Sequence, residues 1–357
     1  MRKIDLYIIK KFLGTFFFTI AILSVIIVVF DAAENYVDLV KAPFWDIVFS
    51  YYFNFVPYFI NLFLYLFTFI SVILFTSKLA GDTEIIAILS SGISFRRMLW
   101  PYIQSAIFLA ILSFVLGNFI IPKTQVQLRT FKETYLSQLK KNKGQNIHIQ
   151  LNPGEYAYVS SYDLKYQVGY KFSLEHYEEN RLTYKLLSDR ITFDTASNKW
   201  NISNYFIREI DKNNNEYLQY GYSLDTTLNM EPEDFYTNKE EWVQMNYFEL
   251  KNHIQDYKEK GIGDVVAYEV EMQKRMAAPF STIILTIIGV ALSSRKVRGG
   301  IGFHLGMGIA ITFSYILFQQ FSTVFATFGN LPAPIAAWIP NIIFAGLGFY
   351  LLRKAPK

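Results

Sequence analysis

The 357-residue chain contains no cysteine, so neither a disulfide framework nor a thiolate metal site is open to it. Its 4 histidines are isolated from one another and form no ligand pair, and no metal or cofactor is expected. There is no phosphate-binding loop, no nucleophile elbow and no His-Glu-x-x-His. Gly299 to Gly302 lacks the Lys-Ser/Thr pair that a phosphate loop needs, and it sits at the border of an apolar run, so it reads as packing. The chain is therefore not expected to be an enzyme, and any ATP hydrolysis that serves it must take place on another protein. No ionisable residue lies at the middle of an apolar run, which argues against proton-coupled or ion-coupled transport. The net charge of +4 is spread in small groups, unlike a nucleic-acid footprint. Basic residues precede the first apolar run, but no small-residue cleavage site follows it, so it reads as a retained first span.

What the chain does contain implies two environments. Hydrophobic residues make up 52%, too many for an ordinary soluble domain, while 18% charged residues require an aqueous part. Apolar runs at about 12–30, 53–77, 98–121, 276–294, 301–328 and 335–352 are each long enough to cross a hydrocarbon core of roughly 30 Å. Lys3, Lys10 and Lys11 precede the first. Lys78, Arg96 and Arg97 lie between the second and third, Arg295, Lys296 and Arg298 between the fourth and fifth, and Arg353, Lys354 and Lys357 end the chain. The loop after the first run carries Asp31, Glu34, Asp38 and Asp46 against Lys41 alone. By the positive-inside tendency both termini are cytoplasmic.

Between Lys123 and Ala267 the hydropathy collapses and the period changes from helical to two. Ile147–Leu151, Val168–Leu174, Ile191–Phe193, Trp200–Ile207 and Tyr217–Tyr220 read as strands, separated by turn formers such as Asn152-Pro-Gly154 and Asp211 to Asn215. Short strands at near-regular spacing imply a sandwich or jelly roll. Both flanking spans end outside, so this domain is expected to be extracytoplasmic. On the strand 200–207, strict alternation places Trp200, Ile202, Asn204 and Phe206 on the core face. A short helix, roughly Phe248–Lys260, leads back to the membrane. The expected plan is a membrane α-helical bundle of six transmembrane helices with an inserted all-β extracytoplasmic jelly-roll domain. Residues 1–122 hold the first three helices, 123–267 the β domain and 268–357 the last three.

The segment 79–97, wedged between the second and third runs, reads as an amphipathic helix along the membrane surface. Asp82 or Thr83 is placed to cap it, Glu84 suits the positive end of its dipole, and Gly92 ends it before Ser94 caps a new helix. Ile85, Ile88 and Leu89 share one face. Glu84, Ala87 and Ser91 form a small, lightly polar face that another protein can approach closely.

This segment, with its following arginines and proline, resembles the coupling helix of the lipopolysaccharide export permeases. Asp5 to Ile8, Arg275 to Ser281, Arg298 to Gly302 and Leu331 to Asn341 also stand in the order and spacing of that family, and Leu331 to Asn341 leans towards its G-type subunit. The resemblance implies a transport subunit in the bacterial inner membrane. Its implied partners are a cytoplasmic ABC ATPase dimer, a second homologous permease, periplasmic jelly-roll bridge proteins and lipopolysaccharide itself. It implies that Asp82, Glu84, Ala87, Ser91, Gly92, Arg96 and Arg97 serve the ATPase contact, the two arginines either flanking it or anchoring to phospholipid headgroups. Lys41, Lys123, Lys274 and Arg275 are candidates for lipid headgroups at the outer border. Tyr315, Phe318, Phe321 and Phe325, with the first span, are candidates for a lateral gate. Some family members carry lysines where this chain has Asp31 to Glu34, which leaves headgroup contacts there open, bridged by divalent cations or moved to Lys41. The rival from another class is a mechanotransmitting or sensory membrane protein that moves no lipid. A lipid-modifying membrane enzyme is a more distant alternative.

Overall fold

A computed structural model describes residues 3–136, 145–163, 166–179, 181–195, 197–211, 213–235, 241–260, 265–297 and 299–355. Arg298, Lys357 and Lys212, named above in basic or turn segments, lie outside them. The chain forms two compact units, one of residues 1–138, 242–248 and 266–357 and the other of residues 139–241 and 249–265.

In the first unit α1 (Lys3–Glu34) is followed by the single turns α2 (Tyr36–Leu39) and α3 (Phe44–Asp46), then by a π-helical stretch Ile47–Tyr52, α4 (Phe53–Leu62) and α5 (Leu64–Gly81). Next come α6 (Glu84–Ser90), α7 (Phe95–Val115), a π-helical stretch Leu116–Ile120 and α8 (Ile121–Tyr135). After the β domain and α9 (Tyr247–Lys260), the unit closes with α10 (Val265–Ser293), α11 (Gly300–Phe328) and α12 (Ala333–Lys354). Among the described residues 6 helical stretches are long and apolar enough to cross a membrane. Two differ from the expected runs. The second is interrupted at Phe63 (φ −110°), which divides it into α4 and α5. The third passes Pro122 and continues to Tyr135, with Pro122 placed directly after the π-helical stretch Leu116–Ile120, where the ladder is already irregular.

Lipid tails are as apolar as leucine, so burial gives these helices little reason to associate and close contact must supply it. A Cβ on Gly308 would lie 2.2 Å from Ile73 Cδ1, and one on Gly289 would lie 2.9 Å from Val72 Cγ1, so α11 and α10 both press on α5 at glycines. Gly302, expected to pack likewise, faces open space, and so does Gly306. The Tyr315 and Ser281 hydroxyls donate to Asn341 Oδ1 at 3.0 and 2.9 Å, and Asn341 Nδ2 donates to the Ala277 carbonyl at 2.9 Å, joining α10, α11 and α12. His304 is buried, with Nε2 at 2.9 Å from the Arg295 carbonyl oxygen.

The second unit is built on one antiparallel sheet of β1 (Gln145–Asn152), β2 (Glu155–Asp163), β3 (Val168–Glu178), β4 (Arg181–Asp194), β5 (Lys199–Ile210) and β6 (Glu216–Thr226), joined in up-and-down order. β2 has no counterpart among the expected strands, and β4 is much longer than the segment 191–193. A row of residues outside the ladder pairs, Asn146, Ser160, Lys171, Asp189, Asn204 and Tyr222, runs across all six strands with the register the same on either side of it, while separate register shifts fall at Leu151 in β1 and Thr183 in β4. Three residues of the row, on alternate strands, have left-handed backbones: Asn146 (φ 53°), Lys171 (φ 53°) and Asn204 (φ 51°). The in–out parity of burial inverts across this row. Ala157 and Val159 are buried before the crease and Tyr162 after it, and in β5 Trp200 and Ile202 give way to Ile207. The expected core face of β5 is therefore correct only up to Ile202. Asn204 is exposed, Phe206 is half-exposed, and Ile207 takes the core position. Trp200, edge-to-face with Tyr162 and Phe235, donates its indole N–H to the Met230 carbonyl at 3.0 Å. Leu250, Ile254 and Tyr257, spaced along one face of α9, are also buried.

Asn tolerates a left-handed backbone and valine does not, a difference of about 1–2 kcal/mol. Asn204→Val should accordingly speed hydrogen exchange across β4 to β6, while Asn204→Gly should leave it nearly unchanged.

Candidate functional site

The turn from α5 to α6 is made by Thr83 in the left-handed region (φ 60°, ψ 9°), an uncommon and strained conformation for a β-branched residue. Its hydroxyl donates to the Asp82 carbonyl at 2.7 Å, and neither Asp82 nor Thr83 caps α6 through its side chain, contrary to expectation. Gly92 does end the helix with a left-handed backbone (φ 85°), and Ser94 Oγ accepts from the Arg97 N–H at 3.3 Å as the cap of α7. Ile85 and Ile88 are buried against α1, α5 and α7. Asp82, Ala87, Ser91, Gly92 and Arg96 are exposed together, and so is Ile86, which the sequence reading passed over.

Two further residues missed from the sequence hold this surface to α1. Asp5, only 3% exposed, pairs with Arg97 Nη2 at 2.7 Å, and the Tyr7 hydroxyl donates to Glu84 Oε2 at 3.0 Å. Lys296 Nζ donates to the Gly81 carbonyl at 3.2 Å. Arg97 is thus an internal strut, whereas Arg96 points away.

The four candidate headgroup cations separate. Lys123 is exposed, and Lys41 is paired with Asp38 at 2.5 Å. Arg275 donates to the Met245 and Trp242 carbonyls at 2.8 and 2.6 Å and to Glu271 at 3.2 Å, so each of its three guanidinium nitrogens is engaged within the protein. Lys274 is half-buried and has no hydrogen bond or ion pair with any described residue. With Arg275 it lines a cavity of about 290 Å³ that also takes in Asn61, Ser113, Gly117, Gln319 and Gln320. Asp31, in the region where lysines were sought, accepts from Tyr51 at 3.0 Å and Asn35 at 3.1 Å and is held by its own chain.

The gate candidates also divide. Tyr315 is buried in the Asn341 network, where it braces the bundle from within. Phe318, Phe321 and Phe325 are exposed. Only 22% of the apolar window is buried in α1 and in α11, against 72% in α5, so these two helices carry the barest apolar faces of the bundle.

Residues 6–354 match the family described as lipopolysaccharide export system permease LptF/LptG, while no individual curated protein matches. The chain belongs to the LptF/LptG family. It is accordingly a multi-pass inner-membrane transport subunit, and the match does not separate the two permease types. The working parts of such a permease are surfaces and cavities, and the β domain of this LptF/LptG chain has its own. A groove of about 540 Å³ runs along the creased sheet, lined by Tyr156, Tyr158, Phe172, Leu187 and Phe206 with Lys171, Lys185 and Glu175. Lys185 Nζ lies 2.8 Å from Glu175 Oε1, and this hydrogen bond holds the Glu175 carboxyl below the usual carboxylate range.

A buried carboxylate left without its partner is strongly destabilising. Arg97→Ala should therefore lower the melting temperature of the purified permease, Arg96→Ala should not, and Asp5→Asn added to Arg97→Ala should recover much of the loss.

Proposed function

We propose that this permease is one half of an ATP-driven exporter that draws lipopolysaccharide from the outer leaflet of the inner membrane. A second, homologous permease completes the lipid cavity, and a cytoplasmic ABC ATPase dimer grips α6 of each. The β domain lies in the periplasm and passes the lipid to jelly-roll bridge proteins. The observation that carries this reading is the pair of bare apolar helices. α1 and α11 hold to the rest of the bundle by one side only and present aromatic and branched residues on the other, a surface suited to acyl chains or to a partner that parts from it.

The distribution of charge supports the orientation. Contacts gather one set of ends: Asp5 with Arg97, Tyr7 with Glu84, Lys296 with Gly81, and Arg295 with the Lys354 carbonyl. Those ends carry Lys10, Lys11, Lys78 and Arg96 as well, which suits the cytoplasmic side. α6 lies among them with Ala87, Ser91 and Gly92 open to a close approach and Ile86 as its apolar centre. The grooved β domain fits lipid handover better than a filled sandwich would.

Replacing Ile86 with Asp, or Glu84 with Lys, should release the ATPase on copurification or uncouple hydrolysis from export, with the permease still inserted in the membrane. Intact assembly and normally coupled export in both variants would remove α6 from the ATPase contact. For the gate, the native chain has no cysteine to interfere. A disulfide between Phe321→Cys or Phe325→Cys and the first span of the partner permease should block export when oxidised and restore it on reduction, and normal export by the crosslinked complex would place lipid uptake elsewhere.

A further inference from the structure

The cavity beside Lys274 lies where two of the bundle's helical stretches are irregular. The stretch made of α4 and α5 breaks at Phe63, and α7 passes into its π-helical turn at Leu116, with Phe63 and Gly117 both lining the space. Such irregularity inside a membrane helix is tolerated where it is buried in protein or faces a polar cavity. Here the space is also close-fitted, since a Cβ on Gly117 would lie 3.0 Å from Asn61 Nδ2.

The polar groups around it are unevenly used. Ser113 donates to Asn61 Oδ1 at 2.8 Å, which orients that amide, and Asn61 Nδ2 has no acceptor among the described residues. The side-chain amides of Gln319 and Gln320 have no described partner either. Glu271 is the one carboxylate at the wall, and Arg275 engages it at 3.2 Å while its other donors hold backbone carbonyls. Glu271 is thus shared by two cations, and the wall keeps one net positive charge, with Lys274 the cation that has no hydrogen-bonded partner among the described residues.

These groups come from different helices but stand at one depth. Lys274 is about 20 residues from Arg295, Gln320 about 20 from Gly300, Asn61 about 20 from Gly81 and Ser113 about 20 from Ser94, which at a rise of about 1.5 Å per residue is about 30 Å in each case. That is roughly the thickness of the hydrocarbon core, measured from the basic ends. The orientation in the previous section then puts the cavity at the outer-leaflet headgroups.

We propose that this cavity, inside a single permease chain, is a binding site for the phosphate of a lipid headgroup, with Lys274 as the charge and Asn61, Gln319 and Gln320 as hydrogen-bond donors. Its depth rests on the proposed orientation. The phosphate belongs either to the glycolipid cargo or to a resident anionic phospholipid. Both present the same monoester or diester oxygens to an ammonium group.

Native mass spectrometry of the whole transporter in detergent, titrated separately with a phosphorylated lipid A, its phosphate-free counterpart and phosphatidylglycerol, tests this. Lys274→Gln should weaken binding of at least one phosphorylated lipid about tenfold, as expected for loss of a charge-assisted hydrogen bond, Lys274→Arg should retain it, and the phosphate-free glycolipid should bind wild type and variant alike. Weakening with lipid A assigns the cavity to cargo, and weakening with phosphatidylglycerol alone assigns it to a resident lipid. Should the transporter fail to export lipopolysaccharide while Lys274-dependent phosphatidylglycerol binding persists, the export reading falls and the site stands. Equal binding by wild type and Lys274→Gln for every lipid, or equal loss with the phosphate-free one, overturns the site. If Lys274→Gln does not fold, a nitroxide on a single cysteine at Gln320 in the otherwise native chain decides the matter. It should broaden the phosphorus resonance of a bound phosphorylated lipid, and an unbroadened resonance overturns the site.

Discussion

Inside hydrocarbon no water is available to a backbone N–H or C=O, so each must be satisfied by the chain itself. That requirement dictates the long helices of the first unit and explains why their hydroxyl groups turn back on their own turns, as Thr68 does to the Leu64 carbonyl at 2.7 Å and Ser71 to Phe67 at 2.7 Å. It also gives meaning to the exceptions. The break at Phe63 and the π-helical turn at Leu116–Ile120 are departures from a regular ladder, and both border the cavity that contains Lys274.

With hydrophobic burial weak as a force between helices, the bundle depends on contacts that bring backbones close and on a few polar junctions. Gly289 and Gly308 let α10 and α11 press on α5, and Asn341 gathers hydroxyls from α10 and α11. α1 is joined to α6 and α7 differently, through the Asp5–Arg97 pair and the Tyr7–Glu84 hydrogen bond at one end. Along the same side Ile8, Phe12 and Phe16 of α1 are buried in a core shared with α5, α6 and α7, and the opposite side of α1 is bare.

The β domain follows a different constraint. Its sheet must bury one face, yet every strand has one residue outside the ladder pairs at a shared row, and the cost of left-handed backbone at Asn146, Lys171 and Asn204 is met on alternate strands. The parity of each strand changes at the crease, so two short alternating segments replace one long one. Three of the residues on that row, Lys171, Asp189 and Asn204, line the 540 Å³ groove.

Hydropathy and helical period are local properties, and the sequence alone was enough for the six spans, the basic ends, the α6 apolar face and the Gly92 and Ser94 boundaries. Strand alternation is local too, but the crease is not. Nothing around Asn204 distinguishes it from an ordinary inward residue until its neighbours across the sheet are seen to skip a partner at the same row, so the core position of Ile207 and the presence of β2 emerged only with the fold. The candidate site divides in the same way. Glu84, Ala87 and Ser91 are grouped by spacing along one helix. Asp5 and Tyr7 reach that surface from a helix distant in sequence, Tyr315 is drawn inward by Asn341, and Lys274 is separated in role from adjacent Arg275 because carbonyls of Trp242 and Met245 occupy one and not the other. Each of these was decided by which distant polar group happened to lie within hydrogen-bond reach, a distance that only the tertiary structure sets.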